Sequence, residues 1–381
     1  ILQKIKIFMI KIFEPYLDKR KIKSFLSRSI DANWISSQGE FISKFEKKIA
    51  SFHRVKYCVA TSSCTTALHL AIKCLGLGEK DEIICPCLTF IAPANMIALS
   101  GAKLVLVDID PETLTIDYKK IEKNITKKTK AIMVVHQFGH AAHMDEIQKI
   151  AKKHKLKIIE DNAESIGGKY KKKLLGTIGD VATLSFFANK ILTTGEGGAI
   201  LTNNKSLANN CRVLRDHGMS KKIRYKHIQL GYNYRMTNLQ AAVGYSQINN
   251  LKKILKIRNI QKIFYEKNLK NIKQIKLRKF KNWTKPVHWL MTISLEKESI
   301  KKKLIKFLKS KKIDSRPMIF PVTEGNHFKK YYNKKNFPNS YVASSLSLHL
   351  PSSTGLKEKE IKYICDQIKI FIKKNYKNNI N

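Results

Sequence analysis

Residues 185–190 read Ser-Phe-Phe-Ala-Asn-Lys and lead into Thr193-Thr194-Gly195-Glu196-Gly197-Gly198. An apolar run delivers a hydroxyl at Ser185 and an amine at Lys190, and the glycine-rich turn behind them lets the backbone pack closely. A lysine near a strand end, in a pocket that lowers its pKa, is what imine formation with an aldehyde cofactor requires. In so lysine-rich a chain, a solvated surface amine is the competing account. Upstream, Glu160-Asp161-Asn162-Ala163-Glu164-Ser165 closes a second apolar run. A carboxylate beside a pyridine nitrogen keeps it protonated and makes the ring an electron sink; Asp161 suits that work, and a helix N-cap is the alternative. Thr61-Ser62-Ser63-Cys64-Thr65-Thr66 offers hydroxyls and unpaired backbone N–H groups at a helix start, either a phosphate cradle or a plain cap. In the cradle reading Ser63, Cys64 and Thr65 hold the phosphate. Thr89-Phe90 adds an aromatic ring that stacks on a cofactor or joins the core. Imine lysine, pyridine carboxylate, phosphate cradle and stacking ring together suit pyridoxal 5'-phosphate (PLP).

These groups need a frame. Tyr57–Ala60, Glu82–Cys85, Lys103–Val107, Ala131–Val135, Leu156–Glu160, Ala182–Phe186 and Gly198–Leu201 read as buried strands. Helical patterns at Thr65–Cys74, Pro93–Ala98 and Asp145–His154 lie between several of them. Such alternation predicts an α/β fold with a mostly parallel seven-stranded sheet between helices. Ligands of these sheets gather at the carboxyl ends of the strands, where the residues above fall. After about residue 238 the texture changes. One long helix is expected from Leu239 towards Asn268, then a strand at Val287–Leu295 and helices at Lys301–Ser310 and Lys357–Lys373. The expected division is an N-terminal extension over 1–12, a large cofactor domain over 13–250 and a smaller α+β domain over 251–381. Met9 opens the phrase Met-Ile-Lys-Ile-Phe-Glu-Pro, which makes Ile1–Phe8 a candidate upstream extension.

The 381 residues carry 73 Lys and Arg against 29 Asp and Glu, a formal charge of +44. Nucleic-acid or anionic-membrane binding is one reading of that excess. The basic residues are chiefly lysines, spread along the chain and accompanied by Ile and Asn, which fits compositional drift better than a clustered, arginine-rich binding face. A field of this sign would also attract a pyrophosphate. The seven cysteines are odd in number and show no paired metal-ligand spacing. Free thiols in a reducing compartment, the cytoplasm, are expected, with no metal. No apolar stretch reaches the length of a membrane span.

Four segments in this order, with Phe13-Glu14-Pro15, Trp34-Ile35-Ser36-Ser37-Gln38-Gly39 and Gly231-Tyr232-Asn233-Tyr234-Arg235-Met236-Thr237-Asn238, resemble the DegT-type sugar aminotransferases from about residue 13 to the C-terminal helix. The resemblance implies a fold-type-I, aspartate-aminotransferase-like enzyme. It implies PLP as cofactor, Lys190 as imine lysine and proton shuttle, Asp161 at the pyridine nitrogen, and Phe90 on the ring. Ser185, with Cys64 and Thr65, would hold the phosphate. Asn233 would reach the phosphate of a partner subunit, in a homodimer with shared active sites. Glu164 stands where many relatives have Gln or His near the cofactor's phenolic oxygen, so it is expected protonated or turned to substrate. Trp34, Ser36, His136 and Arg316 are substrate-side candidates; a core aromatic is the alternative for Trp34, and a surface ion pair for Arg316.

Three departures from the family pattern stand out. Cys64 replaces a glycine of the phosphate loop, His143 replaces an aspartate, and Val322-Thr323-Glu324 stands where many relatives have a substrate-facing histidine. Related dehydratases carry His in place of Lys190. The reaction implied is amination, by glutamate, of C4 of GDP-4-keto-6-deoxymannose in cell-surface polysaccharide or O-antigen synthesis. A UDP-linked 4-keto or 3-keto sugar is the alternative substrate. A non-catalytic, basic nucleic-acid-binding protein is the alternative of another class.

Overall fold

The computed structural model describes residues 9–376, so the candidate extension Ile1–Phe8 lies outside the described residues. Each of the seven apolar runs forms a strand: β1 Tyr57–Thr61, β2 Glu82–Pro86, β3 Lys103–Val107, β4 Thr129–Val135, β5 Lys157–Asp161, β6 Val181–Ser185 and β7 Gly198–Thr202. They make one sheet in the order β1-β7-β6-β5-β4-β2-β3. Alternation puts Ala131, Met133 and Val135 of β4 into one core and Ile132 and Val134 into another. Both faces are therefore covered, which is why these strands read as continuous apolar runs.

Strands β2 to β6 run parallel, and β7 runs antiparallel to both neighbours, β1 and β6. A parallel return needs a crossover element, and the loop from Phe186 to Gly197 holds no helix. β7 therefore turns straight back. Its first residue, Gly198, pairs across with the last residues of both neighbours, Thr61 and Ser185. One sheet edge thus gathers the ends of β1, β5 and β6 and the start of β7.

Helices Cys64–Cys74, Ile91–Leu99 and Met144–Lys153 stand where the apolar periodicity predicted them. Pro93 lies in the first turn of its helix, where no intrahelical N–H is needed. The long helix expected over 239–268 is two, Asn238–Ile248 and Leu251–Leu269, broken at Asn249-Asn250. Asparagine competes poorly for a helix interior, and apolar periodicity cannot register such a break.

The C-terminal unit holds a four-stranded antiparallel sheet of β8 Ile275–Leu277, β9 Met291–Leu295, β10 Arg316–Pro317 and β11 Ser347–Leu350, in the order β8-β9-β11-β10. Its own core joins Leu304, Leu308, Ile361, Ile364 and Ile368 of the helices Glu298–Ser310 and Glu358–Tyr376 to Ile293 and Leu348. Ile10 bridges to Ile313, and Ile12 is buried with its carbonyl accepting from the Ser352 N–H. Residues 10–12 therefore pack on the C-terminal unit. Of the strand expected over Val287–Leu295, only Met291–Leu295 forms. Pro286 has no N–H, and the carbonyls of His288 and Trp289 are taken by the buried Arg258 guanidinium, so no ladder can extend there. The segment instead packs on the Gln137–Gly139 turn through Val287 and on the loop after β6 through Trp289.

Candidate active site

Lys190 sits in the loop between β6 and β7, and local bonds close that loop tightly. The Phe186 carbonyl accepts from the Thr194 N–H and the Thr193 hydroxyl, and the Lys190 N–H donates to the Phe187 carbonyl. Gly195 takes a φ of +83°, open to glycine without strain. From the C-terminal unit, the Trp289 Nε1–H donates to the Asn189 carbonyl at 2.6 Å, and the Lys190 ammonium lies 3.8 Å from the centre of the Trp289 ring. Sequence reasoning missed Trp289, because its segment was read as a strand.

Glu164 Oε1 is 3.8 Å from Lys190 Nζ, and Glu164 Oε2 accepts from the Phe138 N–H at 2.7 Å. Burial pushes the Glu164 carboxyl pKa up, against the pull of Lys190 and of that N–H. The carboxyl thus faces Lys190. Asp161, the last residue of β5, is likewise buried, and burial raises its pKa against the Ala163 N–H and the Lys190 charge. Its Oδ1 accepts from Ala163 N at 2.9 Å, while its other oxygen has no hydrogen-bond partner among the described residues. An acid so held gains from a cationic N–H donor.

The helix Cys64–Cys74 begins beside these groups. Ser63 caps it, accepting from the Thr66 N–H in a reciprocal capping box. The N–H groups of Cys64 and Thr65 make no hydrogen bond to the chain among the described residues. The Cys64 thiol turns inward to the Thr183 hydroxyl at 3.7 Å, and burial drives its pKa far up. The cysteine thus leaves the loop's backbone donors free. A Cβ at Gly198 would lie 2.4 Å from the carbonyl carbon and oxygen of Ser63 and 2.5 Å from Cys64 N. That close approach sets the loop against Ser185, whose hydroxyl makes only a long 3.4 Å contact, from Phe187 N. The Thr89 hydroxyl is buried with no partner, and the next residue, Phe90, is 62% exposed, its ring outside the core. Free amides at a helix start, an open carboxylate oxygen, a half-buried amine and an unused ring fit PLP.

Not every candidate joins this cluster. His136 is fully buried; Nε2 is 2.9 Å from Glu160 Oε2, and Nδ1 accepts from the Ala142 N–H at 3.2 Å. With both ring nitrogens used, it cannot hold substrate and instead anchors the end of β4 to β5. Its partner Glu160 also accepts from the N–H groups of Gly176, Ile178 and Gly179. Burial would raise that carboxyl's pKa, but His136 and the backbone donors outweigh it and hold it down. Trp34 is 49% exposed, which removes the core-aromatic reading, and Ser36 is exposed beside it. Both are placed by buried Asn238: its Nδ2 donates to the Trp34 carbonyl, its backbone N–H to the Ser36 carbonyl, and its Oδ1 accepts from Phe41 N. A Cβ at Gly39 would strike the same side chain at 2.4 Å, so the two motifs ending in Gly39 and Asn238 meet at one contact. Arg316 is exposed on β10 and makes no ion pair among the described residues. Asn233 is also exposed, outside the Lys190 cluster of its own chain.

A cavity of about 640 Å³ shares no lining residue with the Lys190 cluster; it lies between β8, β9 and the Pro111–Leu114 turn. Among the described residues no helix is long and apolar enough to cross a membrane, and no group of three His, Cys, Asp or Glu side chains is placed to hold a metal ion.

The model of the DegT/DnrJ/EryC1/StrS aminotransferase family matches residues 16–369. The chain belongs to that family. It is accordingly a PLP-dependent sugar aminotransferase of fold type I. A protein of Escherichia coli O157:H7 named GDP-perosamine synthase is 38% identical over 95% of this chain and 98% of its own. Its namesake in Caulobacter vibrioides is 40% identical over 92% and 95%. Among solved structures, S. venezuelae DesV in complex with a ketimine intermediate superposes with a TM-score of 0.90 at 27% identity, covering 96% of this chain and 98% of that one.

Proposed function

We propose that this DegT-family enzyme moves an amino group from glutamate to C4 of GDP-4-keto-6-deoxymannose, yielding GDP-perosamine, with Lys190 as the cofactor lysine. The observation that carries the substrate is the near full-length likeness to proteins named GDP-perosamine synthase. PLP bound here supplies an electron sink and a carrier for the amino group. The chain does the rest. The Cys64 and Thr65 amides, the Ser63 loop and the Ser185 hydroxyl bind the phosphate at a helix start. Asp161 holds a proton on the pyridine nitrogen, and its buried, under-satisfied carboxylate is most stable when so paired. Phe90 covers the ring. Lys190 takes and returns the proton at the reacting carbon, held from drifting by Glu164 on one side and Trp289 on the other. Trp34, Ser36 and Arg316, all exposed, are left to meet the nucleotide sugar.

A homodimer with shared sites is part of the proposal. Asn233 follows a segment on which Ile223, Tyr225, Ile228 and Leu230 are exposed, an apolar surface that a second copy would cover, bringing Asn233 to the neighbouring phosphate. A cytoplasmic enzyme is the reading that suits seven free thiols.

The test is mass spectrometry of products after incubating PLP-loaded protein with glutamate and matched GDP- and UDP-linked 4-keto-6-deoxy sugars. Amination of the GDP sugar is expected, with no turnover by Lys190→Ala. Amination of the UDP sugar alone would overturn the substrate. Multiple turnovers by Lys190→Ala would overturn the chemistry.

A further inference from the structure

Arg278 follows β8 and belongs to no element of the Lys190 cluster, yet its guanidinium reaches the turn that faces Glu164. Nη1 donates to the Phe138 carbonyl at 3.1 Å, and Nη2 to the carbonyls of Gln137 at 3.0 Å and Thr113 at 2.5 Å. The peptide joining Gln137 to Phe138 is planar and trans, so its carbonyl and its N–H point in opposite directions. Arg278 grips the carbonyl end. The N–H end is the group that donates to Glu164 Oε2 at 2.7 Å, and Glu164 Oε1 lies 3.8 Å from Lys190 Nζ. Phe138 is held with φ +49°, ψ +35°, a left-handed conformation that disfavours a residue with a side chain. Beyond it, Gly139 has φ +79° and lies so close to the Val287 carbonyl that a Cβ would come within 1.8 Å. A turn in these conformations persists only where its surroundings over-determine it. A cation forked over three carbonyls supplies that constraint, and one peptide group then stands polarised between a guanidinium and a carboxyl.

We propose that Arg278 is a positioning residue for the aminotransferase reaction: it orients the Gln137–Phe138 peptide so that its N–H fixes Glu164 against Lys190. The inference rests on Lys190 being the cofactor lysine. It also couples the C-terminal unit to the site, since Arg278 comes from one and Glu164 from the other. The charged and titratable groups facing Glu164 are Lys190, Asp161 and Arg278. Those facing Arg278 besides Glu164 are His140, His288 and His349; burial, with Arg278 contributing, pulls each of these to about 3, so they stay neutral near pH 7. A pH response above about 5 therefore does not come from these histidines.

The experiment follows the visible absorption of the PLP-loaded enzyme across pH, together with kcat and KM, for wild type, Arg278→Met, Glu164→Gln and the double variant. Arg278→Met keeps the stem length and removes the fork. It should shift the absorption midpoint and lower kcat by roughly tenfold, the scale of one charge-assisted hydrogen bond, with KM for both substrates changed by less than about twofold. In the Glu164→Gln background the same change should move the midpoint far less. An equal shift in both backgrounds, or no shift in the first, overturns the proposal. Should Arg278→Met not fold, Arg278→Lys serves: it retains the charge but cannot span three carbonyls, so it should show the same split while melting closer to wild type. Wild-type behaviour from Arg278→Lys at every readout would also overturn the idea. A wild-type protein in which PLP does not join Lys190 would show as no midpoint at all, which overturns the cofactor reading and this inference with it.

Discussion

Replacing Gly198 by alanine tests the phosphate cradle most directly. The added Cβ would sit 2.4 Å from the Ser63 carbonyl carbon and oxygen and 2.5 Å from Cys64 N, roughly 1 Å inside ordinary van der Waals separation. Those neighbours are backbone atoms of the helix start, so no side chain can rotate out of the way. Gly198 cannot retreat either, because it is paired on both sides, to Thr61 and to Ser185. The loop must therefore move by about that ångström, which should destabilise the protein by about 1–3 kcal/mol. The same movement carries the Cys64 and Thr65 amides away from the phosphate. A hydrogen bond to a charged group is worth about 1.5–3 kcal/mol, so losing one weakens binding about tenfold to a hundredfold. The assay titrates ligand-free protein with PLP and, separately, with pyridoxal, which has the aldehyde and ring but no phosphate. Gly198→Ala should lower PLP affinity by that factor and leave pyridoxal nearly unchanged, so that the ratio of the two affinities collapses. A variant that melts lower but keeps the wild-type ratio would refute the cradle and leave Gly198 a packing residue.

Asp161→Asn should raise the melting temperature of ligand-free protein at pH 7. Burial raises the folded pKa of Asp161, so the unfolded chain releases its proton first and stability falls as pH rises above about 4; the gain should vanish near pH 3, and a lower melting point at pH 7 would contradict it. Glu160 has the opposite sign, its pKa being held down, so its contribution is present above the unfolded carboxyl value and lost as pH falls through the folded one. Urea titration of Glu160→Gln should show a loss of about 3 kcal/mol at pH 7, shrinking in acid, because an amide NH₂ would face N–H donors; a loss independent of pH would exclude this account. Trp289→Phe removes the donor to the Asn189 carbonyl and should lower kcat with KM nearly unchanged in steady-state assays. Unaltered kcat would show that the indole N–H does not place Lys190.

The large sheet was legible because each strand is buried on both faces and so writes itself as an unbroken apolar run, bounded by the polar residues of the candidate site. Lys190, Asp161, Ser185, Cys64 and Thr65 were singled out in this way, each weak alone, and the order of their segments suggested the roles proposed for them. His136 was misread as substrate-facing because a histidine at a strand end looks the same whether its nitrogens face a cleft or a buried carboxylate; only the fold shows Glu160 and the Ala142 N–H in place. Trp289 and Arg278 left no signal, since they reach the site from a unit whose own periodicity says nothing about what its loops touch. The break at Asn249-Asn250 was hidden because apolar spacing continues across it.

The sequence by itself determined the local matters: which runs are strands, where helix starts leave amides free, and which amine, carboxyl and ring types are present. Tertiary structure decided which of those groups meet. Distances of a few ångströms between residues far apart in the chain, such as Arg278 with Gln137, Gly198 with Ser63 and Trp289 with Lys190, arise from sheet order and loop geometry. Those are set by the packing of the whole chain, which no local pattern encodes.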